Sequence, residues 1–579
     1  MQRLKMAVMM GLAFCATVAG AAEAPATLVL IKGQVMTMNE QRTLAQAVAV
    51  RGNRIVAVGS DEEIQRYVGK GTRVIDLQGK TLLPGFIDGH VHPVAGGDRL
   101  GKCSTDNAAK SVDQIVKMVR ESCMGQGGAG KWIEVVNVNP ANFVATAADL
   151  DRISTTQPVI LAGIDGHTSW VNNAALRLAK IADSTPDPDG GQIERDAKGH
   201  ATGFLKDSAQ SLATDAMPKA TNVQRLAKLQ EALALLRSKG ITTVQEAWAS
   251  EEDLGLYDSL EKSKKLNMRV RAMLASKVED DEKEYKRLAA VRNRFKGHPL
   301  VRADGVKVFA DGVIEFPTQS AAMIHPYLDA NGQPTSNVGG RYFDVEVLKR
   351  YVTRLDKDGF MIFVHSIGDF TTHAALDAFE AARQKNGATD NRHAITHLQI
   401  VDQGDFPRFA QLGVYANMQL FWAVPSEYSV EALKPYISAD NYRYMYPAGS
   451  LKKAGSTIYG GSDWPVDSVR GDPLPNTPLA ATQAGMLRME LSDPDSKHKG
   501  EVLNADERVD LDTMLSAYTI TAAKAMKQER TTGSIEVGKL ADLVALDSDV
   551  LAAEPKAIGA IKVRYTVFNG AVAYQAAAK

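Results

Sequence analysis

The chain has 579 residues, 45% of them hydrophobic and 23% charged, with a formal net charge of −1. This is globular composition with material for a large core. The balanced charge argues against a nucleic-acid or polyelectrolyte partner.

Arg3 and Lys5 precede an apolar run over residues 6–18, and Ala19-Gly-Ala21 follows. A basic start, a short apolar stretch and small residues read as a secretory signal peptide of about 22 residues. The run is too short to span a bilayer, and Phe14 before Cys15 argues against a lipoprotein site. No later segment reads as membrane-spanning, so no membrane anchor is expected, and the mature protein is expected to be periplasmic or secreted. Cys103 and Cys123 remain after processing. In an oxidising compartment they are expected to form a disulfide, the alternative being two free thiols.

From residue 23 to 84, short strand patterns alternate with turn signals, at 28–31, 47–50, 54–58 and 74–77. The same texture returns at 540–546 and 564–568, with Asn569-Gly570 as a hairpin turn. The two ends, 23–84 and 525–579, are expected to meet in one small β-sandwich. Residues 85–524 would be inserted into it.

That middle region alternates strands and helices, the pattern of an α/β fold with a parallel sheet and helices outside. Ten strand candidates occur, at 86–92, 132–138, 158–164, 241–246, 268–274, 302–309, 361–365, 393–397, 414–418 and 457–461. Amphipathic helices lie between them, as at 112–123 and 223–239. Gly125 to Lys131 matches the start of a P-loop, but Trp132 stands where Ser or Thr belongs and a strand follows instead of preceding. A Gly-x-Ser-x-Gly elbow is absent, which argues against serine hydrolase chemistry.

Five stretches share one layout, an apolar strand ending in a candidate ligand. The first is Leu83-Pro-Gly-Phe-Ile-Asp-Gly-His-Val-His-Pro93, whose His90 and His92 lie two apart and point to one side of an extended chain. The others end in Lys307, His365, His397 and Asp463. Any one of these reads equally well as structural. Together they supply nitrogen and oxygen ligands suited to zinc, at the strand ends where barrel enzymes place their chemistry. A protonated lysine cannot bind a cation, but burial favours the neutral amine, which can take up carbon dioxide as a carbamate. The alternative for Lys307 is an amine paired with Asp311 or Glu315.

The order His-x-His, Lys, His, His, Asp, following Pro84-Gly-Phe-Ile-Asp-Gly89, resembles the amidohydrolase superfamily. More narrowly it resembles amidohydrolase family 3, the group that includes N-substituted formamide deformylases. Further matches are Asp165-Gly-His-Thr-Ser-Trp-Val-Asn172, Phe309-Ala-Asp-Gly312, Val364-His-Ser-Ile-Gly-Asp369, Arg392-His-Ala-Ile-Thr-His397, Gly461-Ser-Asp-Trp-Pro465 and Gly538-Lys-Leu-Ala-Asp-Leu-Val544. The chain departs from the family at Asn137-Val-Asn-Pro140 and at Val313-Ile-Glu-Phe-Pro317, both near the expected substrate pocket.

The resemblance implies a (β/α)8 TIM-type barrel with Lys on strand four, His on strands five and six, and Asp on strand eight. Counting back, 132–138 and 158–164 fall in a capping insertion after strand one, at about residues 94–230. That insertion carries His167 and Trp170, which either reach the substrate or shape the cap. Trp422 and Trp464 are expected at an apolar pocket wall, or else in packing. One or two ions of zinc or another divalent transition metal are implied. His90, His92 and Asp463 would hold one, His365 and His397 a second, and Lys307 would bridge them as N6-carboxylysine. The implied reaction is hydrolysis of an amide or N-acyl C–N bond in a small molecule. Metal-activated hydroxide would attack, with Asp463 as general base and then general acid. A cyclic amide, carbamate, ester or lactone is the alternative bond, and a metal-free secreted binding protein the alternative class.

Overall fold

The computed structural model describes residues 24–124, 131–466, 472–492 and 496–577. The leader at 1–22 and nearly all of the glycine-rich stretch at 125–131 lie outside the described residues. Eight parallel strands, paired in chain order, form the barrel. They are β1 (Phe86–Val91), β2 (Ile241–Ala249), β3 (Arg269–Ser276), β4 (Val301–Phe309), β5 (Met361–Ser366), β6 (Ala394–His397), β7 (Tyr415–Met418) and β8 (Thr457–Gly460). These are eight of the ten strands expected from the sequence. The other two, Ile133–Val138 and Val159–Gly163, belong to a separate six-stranded sheet inserted after β1.

The ring closes where β8 meets β1. Asp463 N donates to His90 O at 2.7 Å and His92 N donates to Trp464 O at 2.8 Å. The backbones approach so closely that a side chain at Gly89 would sit 2.5 Å from Gly460 O, and one at Gly461 2.6 Å from His90 Cβ. Glycine is required at both positions. Inside the barrel, Ile87, Met273, Phe363 and Tyr459 form an apolar plug with Ala522 and Met526. The short helix Ile520–Ala525 thus seals the end opposite the ligands.

The termini build two sheets. One orders Arg54–Gly59, Ala47–Arg51, Leu28–Ile31 and Arg73–Asp76; the other joins both chain ends, with Thr81–Pro84 antiparallel to Leu543–Leu546. Leu30, Val48 and Leu82 share a core with Ile535, Leu543 and Val567. Gln34–Met36, Leu44–Ala45 and Thr81–Pro84 are strands that the sequence pattern does not reveal, being two to four residues long.

The inserted sheet occupies a narrower span than the expected 94–230, running from Cys103 to Asp207. The flanking helices Pro93–Arg99 and Asn222–Ser238 belong to the barrel, because Val94, Leu229, Leu233 and Leu236 face its core. Cys103 opens the inserted sheet and Cys123 caps the helix Val112–Ser122; the two sulfurs are bonded. Thiol titration of the denatured, unreduced chain lacking residues 1–22 should find no free thiol. Cys103→Ser should cost about 3 kcal/mol in urea unfolding, the loop-entropy value for a bridge spanning 20 residues.

Candidate metal centre

Each candidate ligand sits at, or just beyond, the C-terminal end of a barrel strand. His90 lies one residue before the end of β1 and His92 caps the helix that follows; Lys307 lies on β4, His365 on β5, His397 on β6, and Asp463 three residues past β8. Strand register sets their relative heights, with Phe309 opposite His365 and His365 opposite Thr396. The groups converge. His90 Nε2 and His92 Nε2 lie 3.2 and 3.1 Å from the same oxygen of Asp463, and Lys307 Nζ lies 3.4 Å from His90 Nε2. His397 is 4.8 Å from His90 and 4.5 Å from His365 between ring centroids. All six are buried except His92, which is partly open. His397 and Asp463 adopt left-handed backbone, at φ 77° and 55°. Non-glycine residues avoid that region, and such strain gathers at functional sites.

The decisive feature lies behind the rings. His90 Nδ1 meets Thr396 Oγ1 at 2.7 Å, and that hydroxyl donates onward to Asn417 Oδ1, so it accepts from His90. His365 Nδ1 donates to Asp311 at 3.0 Å and His397 Nδ1 to Gln419 Oε1 at 2.9 Å. His92 Nδ1 faces Glu246 at 3.6 Å, and Glu246 itself accepts from Tyr257. With Nδ1 hydrogen-bonded outward, His90, His365 and His397 keep Nε2 free of a proton, the arrangement of metal-ligating histidines, while His92 is protonated and gives its Nε2 proton to Asp463.

Electrostatics agree. Burial, reinforced by the nearby Lys307 amine, holds His90 down to about 3, and burial holds His365 and His397 well below the usual histidine range. Burial brings Lys307 down to about 7. Burial works against ionised Asp463, but the imidazoles around it outweigh that and hold its carboxyl well below the usual range. Burial also opposes charge on His92, yet the hydrogen bonds that it donates to Asp463 and Glu246 lift it to about 9. A divalent cation facing the same two carboxylates would replace that proton. His90, His92 and Asp463 already place one ligand atom each within 4.8 Å of one another. The nitrogen and oxygen donor set fits zinc or a similar ion.

The centre opens into a cavity of about 1640 Å³ among the described residues. The inserted sheet reaches it through His167, in the turn between Val159–Gly163 and Thr168–Val171. His167 Nδ1 bonds Asp207 at 2.6 Å, the other Asp207 oxygen accepts from the Tyr342 hydroxyl, and the ring lies 5.3 Å from that of His365. Trp422 lines the cavity, parallel to His397 at 5.9 Å.

Two expected substrate contacts are corrected. Trp170 is buried inside the inserted domain, stacked on Phe204 at 4.9 Å, because its strand turns alternate residues into that domain's own core. Trp464 is buried against Gly96 of the helix after β1 and donates its indole N–H to Pro473 O, so it packs behind the site instead of lining it. Lys307 pairs with neither Asp311 nor Glu315. Asp311 is taken by His365 and by the amides of Ala322, Ile367 and Gly368, while Glu315 accepts from Gln399. The sequence reading missed the holders Glu246, Thr396 and Gln419. Thr396 lies beside His397 on β6, while Glu246 and Gln419 lie on or just past β2 and β7, which bear no candidate ligand, so no spacing rule marks them.

The amidohydrolase family model matches residues 73–574. The chain belongs to the amidohydrolase family. This amidohydrolase is 30% identical to protein LONG AFTER FAR-RED 3 of Arabidopsis thaliana over 542 residues, covering 90% of this chain and 88% of that one. It is 27% identical to N-substituted formamide deformylase of Arthrobacter pascens over 566 residues, covering 95% and 98%. A solved structure of a metal-dependent hydrolase from Pyrococcus horikoshii shares the fold, with a TM-score of 0.68, 22% identity and coverage of 91% and 99%. The amidohydrolase is a hydrolase built on a TIM-type barrel, and its substrate is a small molecule. Replacing Gln419 by Leu removes the acceptor for His397 Nδ1. Chelator competition should then show metal affinity lowered about 10- to 100-fold, with the fold retained in circular dichroism.

Proposed function

We propose that this amidohydrolase is an exported enzyme that cleaves the C–N bond of an amide or N-acyl amine. The observation that carries the reading is the convergence of His90 Nε2 and His92 Nε2 on one oxygen of an ionised Asp463, beside Lys307 and the rings of His365 and His397, with the Nδ1 of every ring facing an acceptor. In this reading His90, His92 and Asp463 hold one divalent transition metal, zinc for preference, and His365 and His397 a second. A bound ion would lower the pKa of water toward neutrality and polarise the scissile carbonyl.

The chain's own groups do the rest. Asp463 accepts the proton of the attacking water and returns it to the leaving nitrogen, base first and acid second. Lys307, its pKa brought to about 7 by burial, keeps a neutral amine at hand. That amine forms an N–C bond to carbon dioxide and loses a proton, giving an anionic carbamate between the two ligand sets. His167, held by Asp207 and Tyr342, contacts the substrate from the inserted sheet, and Trp422 forms the opposite wall. A C–N bond is favoured over an ester by the formamide deformylase relative. Export is supported by the leader-like N-terminus and by the Cys103–Cys123 bond, which suits an oxidising compartment.

Asp463→Asn should lower turnover of N-formyl and N-acetyl amines by about 10²- to 10⁴-fold. Metal content, measured on the same samples, should fall far less; unchanged turnover defeats the role. Expressed with its leader, the protein should be recovered from the periplasm shortened by about 22 residues, as read by intact mass.

A further inference from the structure

Arg99 ends the helix that His92 begins, and His92, Ala95 and Arg99 all line the active-site cavity. Positions three and seven residues on from His92 share one helical face, about 10 Å long at 1.5 Å per residue. Helical side chains lean toward the N-terminus, so the guanidinium is directed back along this face toward the ligands. The helix is tightly held. A side chain at Gly96 would sit 2.2 Å from the Trp464 ring, and one at Gly97 2.7 Å from the backbone of Lys228.

The guanidinium is poorly matched by protein. Its contacts are Nη1 to Ile164 O and Nη2 to Gly163 O, both at 3.4 Å. These are long bonds to neutral carbonyls and use two of five N–H donors. Among the described residues no carboxylate lies within 4.0 Å of it. Glu134 is occupied by Lys102 at 2.8 Å; Asp165 accepts through Oδ1 from the Thr168 hydroxyl and the amides of His167 and Thr168, and its buried Oδ2, which has no hydrogen-bond partner among the described residues, acts on Arg99 as a charge without contacting it. Lys277 and Arg341 also line the cavity, but both are exposed and their charge is solvated. Asp165, Glu134 and Asp463 act on the partly buried guanidinium only from beyond 4.0 Å, and a carboxylate in the cavity would answer it directly with two parallel hydrogen bonds.

We propose that Arg99 is an anion subsite of the active site, receiving a carboxylate carried by the substrate on the part that runs along the His92–Arg99 face. The enzyme then selects acidic amides over neutral ones. This rests on the hydrolase reading above.

The test compares kcat/KM of the metal-loaded enzyme on N-formyl ω-amino acids of increasing chain length and on the matching primary carboxamides. Wild type should favour the acid by about 30-fold or more at one chain length, mainly through KM. R99Q should remove that preference, and R99K should keep part of it. No preference at any length in wild type, or equal losses on both substrates in the variants, overturns the proposal and leaves Arg99 as a bolt between helix and inserted sheet. Should R99Q fail to fold, the wild-type preference and R99K decide. A binding arm separates the two readings. Phenylbutyrate should raise the unfolding midpoint of wild type more than that of R99K, while phenylbutanamide shifts both alike. If no formamide is hydrolysed but this difference persists, the C–N reading falls and the subsite stands. Equal shifts with both compounds overturn the subsite.

Discussion

Four imidazoles, an amine and a carboxylate crowd the end of the barrel, and the group behind each ring sets how that ring faces the others. Thr396, Asp311 and Gln419 accept the Nδ1 proton of His90, His365 and His397, and Glu246 stands behind His92. Three of these holders come from the strand beside the ligand they hold or from the segment just after it, so strand order and register determine protonation as well as position. The left-handed backbone at His397 and Asp463 has the same origin. A regular strand would aim alternate side chains away from the axis, and the turn brings them back over the mouth.

The inserted sheet completes what the barrel leaves open. Its own two faces are covered, one by the cluster around Trp170 and the disulfide, the other by the cluster around Leu205. It behaves as a domain that offers its edge and turns to the cavity. Asp207 lies on its last strand and Tyr342 on the barrel segment after β4, so their hydrogen bond ties cap to barrel beside the candidate metal centre. Arg99 makes a second tie from the opposite side, through the carbonyls of Gly163 and Ile164. Both ties begin or end within contact of the cavity, so cap position and substrate contact are not independent.

Much was legible before any coordinates. The eight barrel strands follow from apolar runs and helix periodicity. Every candidate ligand was marked by its place at a strand end. The resemblance, which puts Lys on strand four, assigned two of the ten strand candidates to an insertion, though its edges were drawn too wide because an amphipathic helix reads alike on barrel or cap. Tryptophans 170 and 464 show the opposite limit. Each sits in a motif beside functional residues, and each is core, since proximity along the chain does not say which face a side chain takes once a strand pairs on both edges.

The sequence by itself marked an α/β fold with a parallel sheet and a set of candidate ligands at strand ends, because hydrophobic period and residue type are local properties; the eight-stranded barrel and the hydrolytic chemistry were expected from the family resemblance. Only the tertiary structure decided which residue stands behind each histidine, that among the described residues no carboxylate lies within 4.0 Å of Lys307, and that Arg99 lies on the cavity wall beside the candidate ligands. Those facts depend on contacts between residues tens to hundreds of positions apart, such as His90 with Thr396 across 306 residues. Such contacts arise only when the barrel closes and brings β1 against β8.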